Sequence, residues 1–340
     1  MSSSFWIQSA VGVLPVLGFL IVLVLLDSYK LVTPARIAHA LGYGASAAVV
    51  CFLVNTLPFS RMGSAGEYYA WLGAPVVEES LKAAALIWWI RRGRIAFLVE
   101  GALLGFAVGA GFAFTENLIY AASLRQAHLS VHVIRGFGTA IMHGGATALV
   151  GVLARSAADR RSPDRIRFAL PALVAAIAIH MIYNIPWLPA VANAAVLMAA
   201  LPAALALAFA RSEGALRRWL GEGFDKDVEL LEMLDSGGFL STPAGRYLQS
   251  LKTAFPAPVL ADMLCLLQLS LELSMRAKAE LLKREVGFSG PPDPAIRARF
   301  REMKYLEKSI GSTGRLALAP LLPAGTRDIW QIKMLGERES

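Results

Sequence analysis

The apolar run Ala74–Ile90, APVVEESLKAAALIWWI, contains three charges, Glu78, Glu79 and Lys82. Further on, Glu116 and Asn117 interrupt FAFTENLIY, His143 interrupts GTAIMHGGAT, and His180 and Asn184 interrupt AIAIHMIYNIPW. Ionisable groups in stretches of membrane length are costly and mark functional sites or paired groups. Three chemistries use such a set. A carboxylate can take a proton from water while histidines orient it and a His–Asn pair donates to a developing oxyanion. His and Glu can hold a metal for hydrolysis. The same groups can relay protons in a transporter. The plainer reading, hydrogen bonds that join helices, suits a single histidine better than two adjacent carboxylates.

Helical spacing groups these residues. Glu78 and Lys82 are i,i+4 and are expected to pair; Glu79 is turned about 100° from Glu78, so the two carboxylates need separate partners. His180 and Asn184 are also i,i+4 and share a face. Counted from one end of their spans, Glu78, His143 and His180 lie about 12 residues in, roughly 18 Å. Glu116 is expected nearer the other end, and Glu100, beside an arginine loop, at the membrane interface. HExxH and GxSxG are both absent from the sequence, and Ser80 is an isolated hydroxyl next to the glutamates.

The elements that must position these groups are membrane helices. Only 17% of the 340 residues are charged, against about 25% in soluble domains. Residues 1–210 hold 14 Lys+Arg and 8 Asp+Glu, whereas residues 211–340 hold 19 and 17. This division predicts a transmembrane domain over 1–210 and a mostly helical cytoplasmic tail over 211–340. The fold class expected is all-α, a polytopic helical bundle. Seven spans are expected, near 9–28, 38–58, 68–90, 97–121, 133–154, 169–189 and 190–210, each of about 20 residues. NIPWLPA separates the last two. Loops 29–37, 91–96 and 155–168 and the start of the tail hold thirteen Lys or Arg, against Arg61 and Arg125 opposite. That bias predicts an inner-membrane protein with its N-terminus outside and its tail in the cytoplasm, and explains the net charge of +8 without nucleic acid. The first span, lacking a basic n-region, reads as retained. Two cysteines, Cys51 and Cys265, exclude a disulfide framework and thiolate metal sites. Gly101, Gly105 and Gly109 repeat at i+4, the spacing of a close helix seam. In the tail, 227–235, 246–285 and 295–310 carry apolar periodicity, and GSTGRLALAPLLPAG reads as linker and turn.

EESLK (Glu78–Lys82), FAFTEN (Phe112–Asn117), His143 and HMIYN (His180–Asn184) together resemble the PrsW family of intramembrane proteases, relatives of the CAAX prenyl proteases and bacteriocin-processing enzymes. The resemblance covers roughly residues 65–190. It implies a polytopic membrane peptidase acting on a membrane-anchored protein or peptide within the lipid bilayer, such as an anti-sigma-factor-like protein. It further implies that Glu78 or Glu79 is the water-activating base, that His180 and Asn184 form the oxyanion site, and that Glu116 and His143 complete the water site. Family members are also called metalloproteases, which implies a possible Zn. The prenyl protease branch carries EExxxR and FxxxH where this chain has EExxK and Phe112-xxx-Glu116. The rival readings are a proton-coupled transporter and a noncatalytic membrane scaffold.

Overall fold

Apolar runs punctuated by proline and glycine form helices, and no strand occurs among the described residues, so the chain is all-α. The computed structural model describes residues 3–61, 65–123, 126–160, 166–288, 293–322 and 325–337. Of the loop cations counted above, Arg125, Arg161 and Arg165 lie outside the described residues. Two units form, Met1–Glu213 and Gly214–Ser340.

The first unit contains α1 (Ser3–Leu26), α2 (Pro34–Arg61), α3 (Gly66–Tyr68), a π-helical turn (Tyr69–Gly73) and α4 (Ala74–Arg91). It continues with α5 (Leu98–Ser123), α6 (Leu129–Ile134), a second π-helical turn (Arg135–Thr139), α7 (Ala140–Arg160), α8 (Leu170–Asn184) and the first part of α9 (Ala190–Asp235). Its axis is α5, which is buried at every residue from Val99 to Ala113, as expected of a helix that is apolar all round. Glycines let its neighbours come this close. A Cβ on Gly101 would lie 2.7 Å from the Gly151 carbonyl oxygen, one on Gly105 would lie 2.5 Å from that of Thr147, and one on Gly109 would collide with that of His143. The repeat is therefore the α5–α7 seam, and its register fixes the level of His143.

Among the described residues, six helical stretches are long and apolar enough to cross a membrane: Phe5–Leu26, Pro34–Thr56, Leu98–Ser123, Leu129–Asp159, Ala190–Asp235 and Ala257–Glu285. The chain is a multi-pass membrane protein. The seven expected spans differ from this set in physical detail. The expected span 68–90 corresponds to α4, whose 18 residues carry Glu78, Glu79, Lys82 and Arg91 and are too highly charged to stand among the six. The expected span 169–189 shortens to the 15 residues of α8, because Pro186 keeps Ile185 extended (φ −74°, ψ 130°) and stops the helix at Asn184. The expected span 190–210 is only the start of α9, which runs 46 residues to Asp235.

Glu100, in the first turn of α5, is buried within the protein. It accepts hydrogen bonds from the backbone N–H of Ala96 (2.7 Å) and Phe97 (3.2 Å) and pairs with Arg36 (2.7 Å), closing the first turn of α5 and fixing it to α2. Just past α1, buried Asp27 accepts from the N–H of Leu31 (2.7 Å) and Val32 (3.3 Å). Burial nonetheless pushes its carboxyl up to about 6.

The second unit contains the remainder of α9, a 3₁₀ turn (Gly238–Ser241), α10 (Pro243–Ser250), α11 (Ala257–Glu285), α12 (Pro294–Leu318) and α13 (Thr326–Glu337). Its core helix is α11, which buries Leu266, Leu267, Leu273, Ala277 and Leu281 together with Ser274 and Lys278. Lys278 and Ser274 both reach Asp227 at 2.6 Å, and Gln331 donates to Ser274 at 2.7 Å, so the buried charge is paired. The stretch expected as linker and turn is helical up to Leu318. Gly311 (φ 69°) only kinks it, and buried Leu318 anchors the resumed turn.

Candidate active site

Helical geometry on α4 separates the paired carboxylates. Glu79 is fully buried, whereas the Glu78 side chain is 15% exposed, toward a cavity. Lys82 Nζ lies 2.5 Å from Glu79 Oε1, so the ammonium pairs with Glu79 at i,i+3 and not with Glu78 at i,i+4 as the spacing suggested. It also reaches His143 Nδ1 on α7 at 2.8 Å and sits 4.5 Å over the Phe112 ring. Phe112, one helical turn before Glu116, also stacks against the His143 ring at 4.9 Å, forming a floor for both groups.

The other ring nitrogen of His143 lies 2.9 Å from Glu116 Oε2. Glu116 therefore stands at the level of the imidazoles rather than nearer the other end of the span. Its second oxygen lies 3.3 Å from Arg135 Nη2. The His180 ring, perpendicular to that of His143 at 4.8 Å, places Nδ1 2.8 Å from Glu79 Oε1 and Nε2 3.9 Å from Glu78 Oε2. The longer distance exceeds a direct hydrogen bond and is within the reach of one bridging water. The structure thus brings Glu78, Glu79, Glu116, His143 and His180 into one cluster. Asn184 borders the same cavity, with its amide donating to the Ala70 carbonyl at 3.1 Å. Ser80 is exposed, outside the cluster.

The cavity measures about 790 Å³ and is lined by the end of α2, the first π-turn, the end of α5, the second π-turn, the end of α8 and the start of α9. It therefore opens toward the helix ends opposite the basic connections α1–α2, α4–α5 and α7–α8. Phe52, Trp71, Ile119, Tyr120 and Leu188 supply much of its apolar wall.

Three polar residues at the cavity were not singled out from the sequence. Arg135 pairs with Glu116, donates from Nε to Asn117 Oδ1 (3.1 Å) and stacks its guanidinium 3.6 Å from the Tyr120 ring centroid. Asn55 donates to Glu78 Oε1 (3.3 Å), and the Tyr69 hydroxyl donates to Asn55 Oδ1 (2.8 Å). A signal existed for two of them. Arg135 in VHVIRGFGTAIM and Asn55 in CFLVNTLPF are lone polar groups in apolar runs, like those already noted.

A divalent metal fits the donor set. Glu78, His143 and His180 each offer a ligand atom, all within 4.8 Å of one another. Glu79 holds His180 by Nδ1, as carboxylates behind metal-bound histidines do, which leaves Nε2 facing the cavity. Glu79 Oε2 is buried in the same cluster without a hydrogen-bond partner.

Carboxylates and imidazoles buried together beside a cavity, in a bundle of membrane helices, are the groups that an intramembrane hydrolase needs. The PrsW family intramembrane metalloprotease model matches residues 33–210, and the chain belongs to that family. It is an enzyme, a protease of the membrane. The match leaves α1 and the second unit outside it. No curated protein and no solved structure matches the chain.

Proposed function

We propose that the chain hydrolyses a peptide bond of a membrane-anchored protein, with Glu78 as the group that activates water. The observation that carries this reading is the separation of Glu78 from His180 Nε2, 3.9 Å apart at the cavity wall. A water held between them is within reach of a base, and expulsion of bulk water by the apolar wall strengthens each charge interaction inside. Glu79, engaged by Lys82 and His180, orients the imidazole. His143, held between Lys82 and Glu116, donates its Nε2 proton toward Glu116 and keeps that carboxylate at the cavity. Asn184 uses one amide hydrogen on Ala70 and has a second for the oxyanion.

A metal here would take Glu78 and His180 Nε2 as ligands, with Glu78 then yielding its role as base; His143 would join them only by giving up the Nε2 proton that it donates to Glu116. Bound there, it would supply Lewis-acid polarisation of the carbonyl and of the water.

The positive charge bias puts the N-terminus outside and the tail in the cytoplasm. The cavity then opens to the outer half of the bilayer, which suits a single-span substrate with an outer domain, such as an anti-sigma-factor-like protein. The test is cleavage of a reconstituted single-span reporter by wild type and by Glu78→Gln. Loss of cleavage in a folded Glu78→Gln protein is expected, and full activity would remove Glu78 as the base.

A further inference from the structure

The first π-helical turn, Tyr69–Gly73, holds two carboxamides at the cavity. The Ala70 carbonyl accepts from Asn184 Nδ2 at 3.1 Å, and the Tyr69 hydroxyl donates to Asn55 Oδ1 at 2.8 Å. Single π-turns inside helical runs recur at functional sites because the extra residue re-aims side chains. Here the re-aimed Tyr69 settles which way the Asn55 amide points. A phenol that donates to Oδ1 leaves Nδ2 as the atom that faces Glu78, 3.3 Å from Oε1.

Glu78 has few other restraints. Its neighbour Glu79 is locked by Lys82 at 2.5 Å and His180 at 2.8 Å, whereas Glu78 Oε2 is 3.9 Å from His180 and faces the cavity. Asn55 is the direct hydrogen-bond donor shown for the Glu78 carboxylate. A cavity-facing glutamate with three rotatable bonds loses much of its productive population without such an anchor, and misplacement by about 1 Å can cost on the order of 100-fold in rate.

We infer that Asn55, oriented by Tyr69, is a positioning residue for the hydrolytic step: it holds Glu78 in the rotamer that faces His180 Nε2. The inference rests on the reading of Glu78 as the base. Asn55 lies on α2 and Tyr69 precedes α4, so the pair also makes the arrangement of Glu78 depend on the contact between those elements.

The test uses the full-length protein in lipid nanodiscs and a fluorophore–quencher single-span reporter that the wild-type chain cleaves. Glu78→Gln, Asn55→Leu, Tyr69→Phe and the Asn55→Leu/Tyr69→Phe double variant are compared. Asn55→Leu is expected to lower kcat by about 10- to 100-fold with KM within about twofold. Tyr69→Phe is expected to lower kcat by about 2- to 10-fold and to have no further effect when Asn55 is already leucine. A purely structural pair would lower the folded fraction without this kcat-only loss or the non-additivity. Wild-type kcat in Asn55→Leu, with Glu78→Gln inactive, would overturn the inference and leave the proposed base standing. Full activity in Glu78→Gln would overturn the base itself. Should Asn55→Leu fail to fold, Asn55→Ser and Tyr69→Phe carry the test, and unchanged kcat in both would overturn the inference.

Discussion

Lys82 Nζ and His143 Nδ1 meet at 2.8 Å across α4 and α7, and this contact admits one proton arrangement. An ammonium has donors only, so Nδ1 must accept and the neutral ring carries its proton on Nε2. That proton points at Glu116 Oε2, 2.9 Å away. One lysine thus neutralises Glu79 and sets the tautomer of His143.

Lys82→Met leaves Glu79 fully buried without its ammonium. Breaking a buried pair by removing one partner costs about 3–5 kcal/mol, so a large fall in thermal stability in nanodiscs is expected. Stability within about 1 kcal/mol of wild type would show that the pair contributes little.

The two adjacent glutamates should respond differently. Glu78→Gln is expected to keep the wild-type melting temperature and to reduce cleavage by about 100-fold or more, the range of a general base. Glu79→Gln leaves Lys82 uncompensated in the core, so it should lower both stability and activity. Melting curves and reporter cleavage, measured together, separate the two. Equal losses of stability would contradict the division of labour.

Gly109→Ala places a methyl against the His143 carbonyl. Overpacking a helix seam costs about 1–3 kcal/mol and shifts the backbone that carries His143, so both melting temperature and cleavage should fall. Gly18→Ala is the control. Its added Cβ meets nothing within 4 Å, and it should leave stability unchanged or raise it by a few tenths of a kcal/mol. If the two variants melt alike, the seam is not tight.

Asp27 gives a pH dependence outside the spans. Its folded value, about 6, lies above the ordinary 3.8 because burial outweighs the two backbone N–H donors, with Glu100 adding to the rise and Lys30 opposing it. A raised value means that this group favours the fold fully below about pH 4 and loses that contribution as pH climbs through 6. The rise corresponds to at most about 3 kcal/mol. Asp27→Asn, still able to accept from Leu31 and Val32, should be more stable than wild type at pH 8 and equal to it at pH 4. Paired denaturation curves at the two pH values check this, and the opposite ordering would refute the burial argument.

Zinc added to chelator-treated protein should raise its melting temperature, and His180→Asn should abolish the rise, since ligand binding to the folded state stabilises it by mass action. A wild-type protein that shows no shift has no metal site in this cluster.

The helical periodicity of EESLK pointed to Glu78 as the partner of Lys82 at i,i+4, although i,i+3 lies on the same helix face. The choice of Glu79 depends on α7 and α8, which bury that carboxylate and leave Glu78 at the cavity. Span counting along α5 put Glu116 nearer the other end, and only the contact with His143 across the α5–α7 seam brings its carboxylate to the level of the imidazoles. Arg135 escaped notice because it stands at the edge of its apolar run, in a π-turn that carries it inward to Glu116.

Local chemistry by itself determined the all-α class, the membrane-length apolar runs, the glycine seam and the set of polar groups that could catalyse. Each follows from composition or helical period, properties of neighbours along the chain. The tertiary structure alone decided which of two adjacent glutamates faces the cavity, which carboxylate Lys82 neutralises, and that Asn55 and Tyr69 belong beside Glu78. Those are contacts between helices, and they depend on packing distances of a few ångströms that no spacing within one helix encodes.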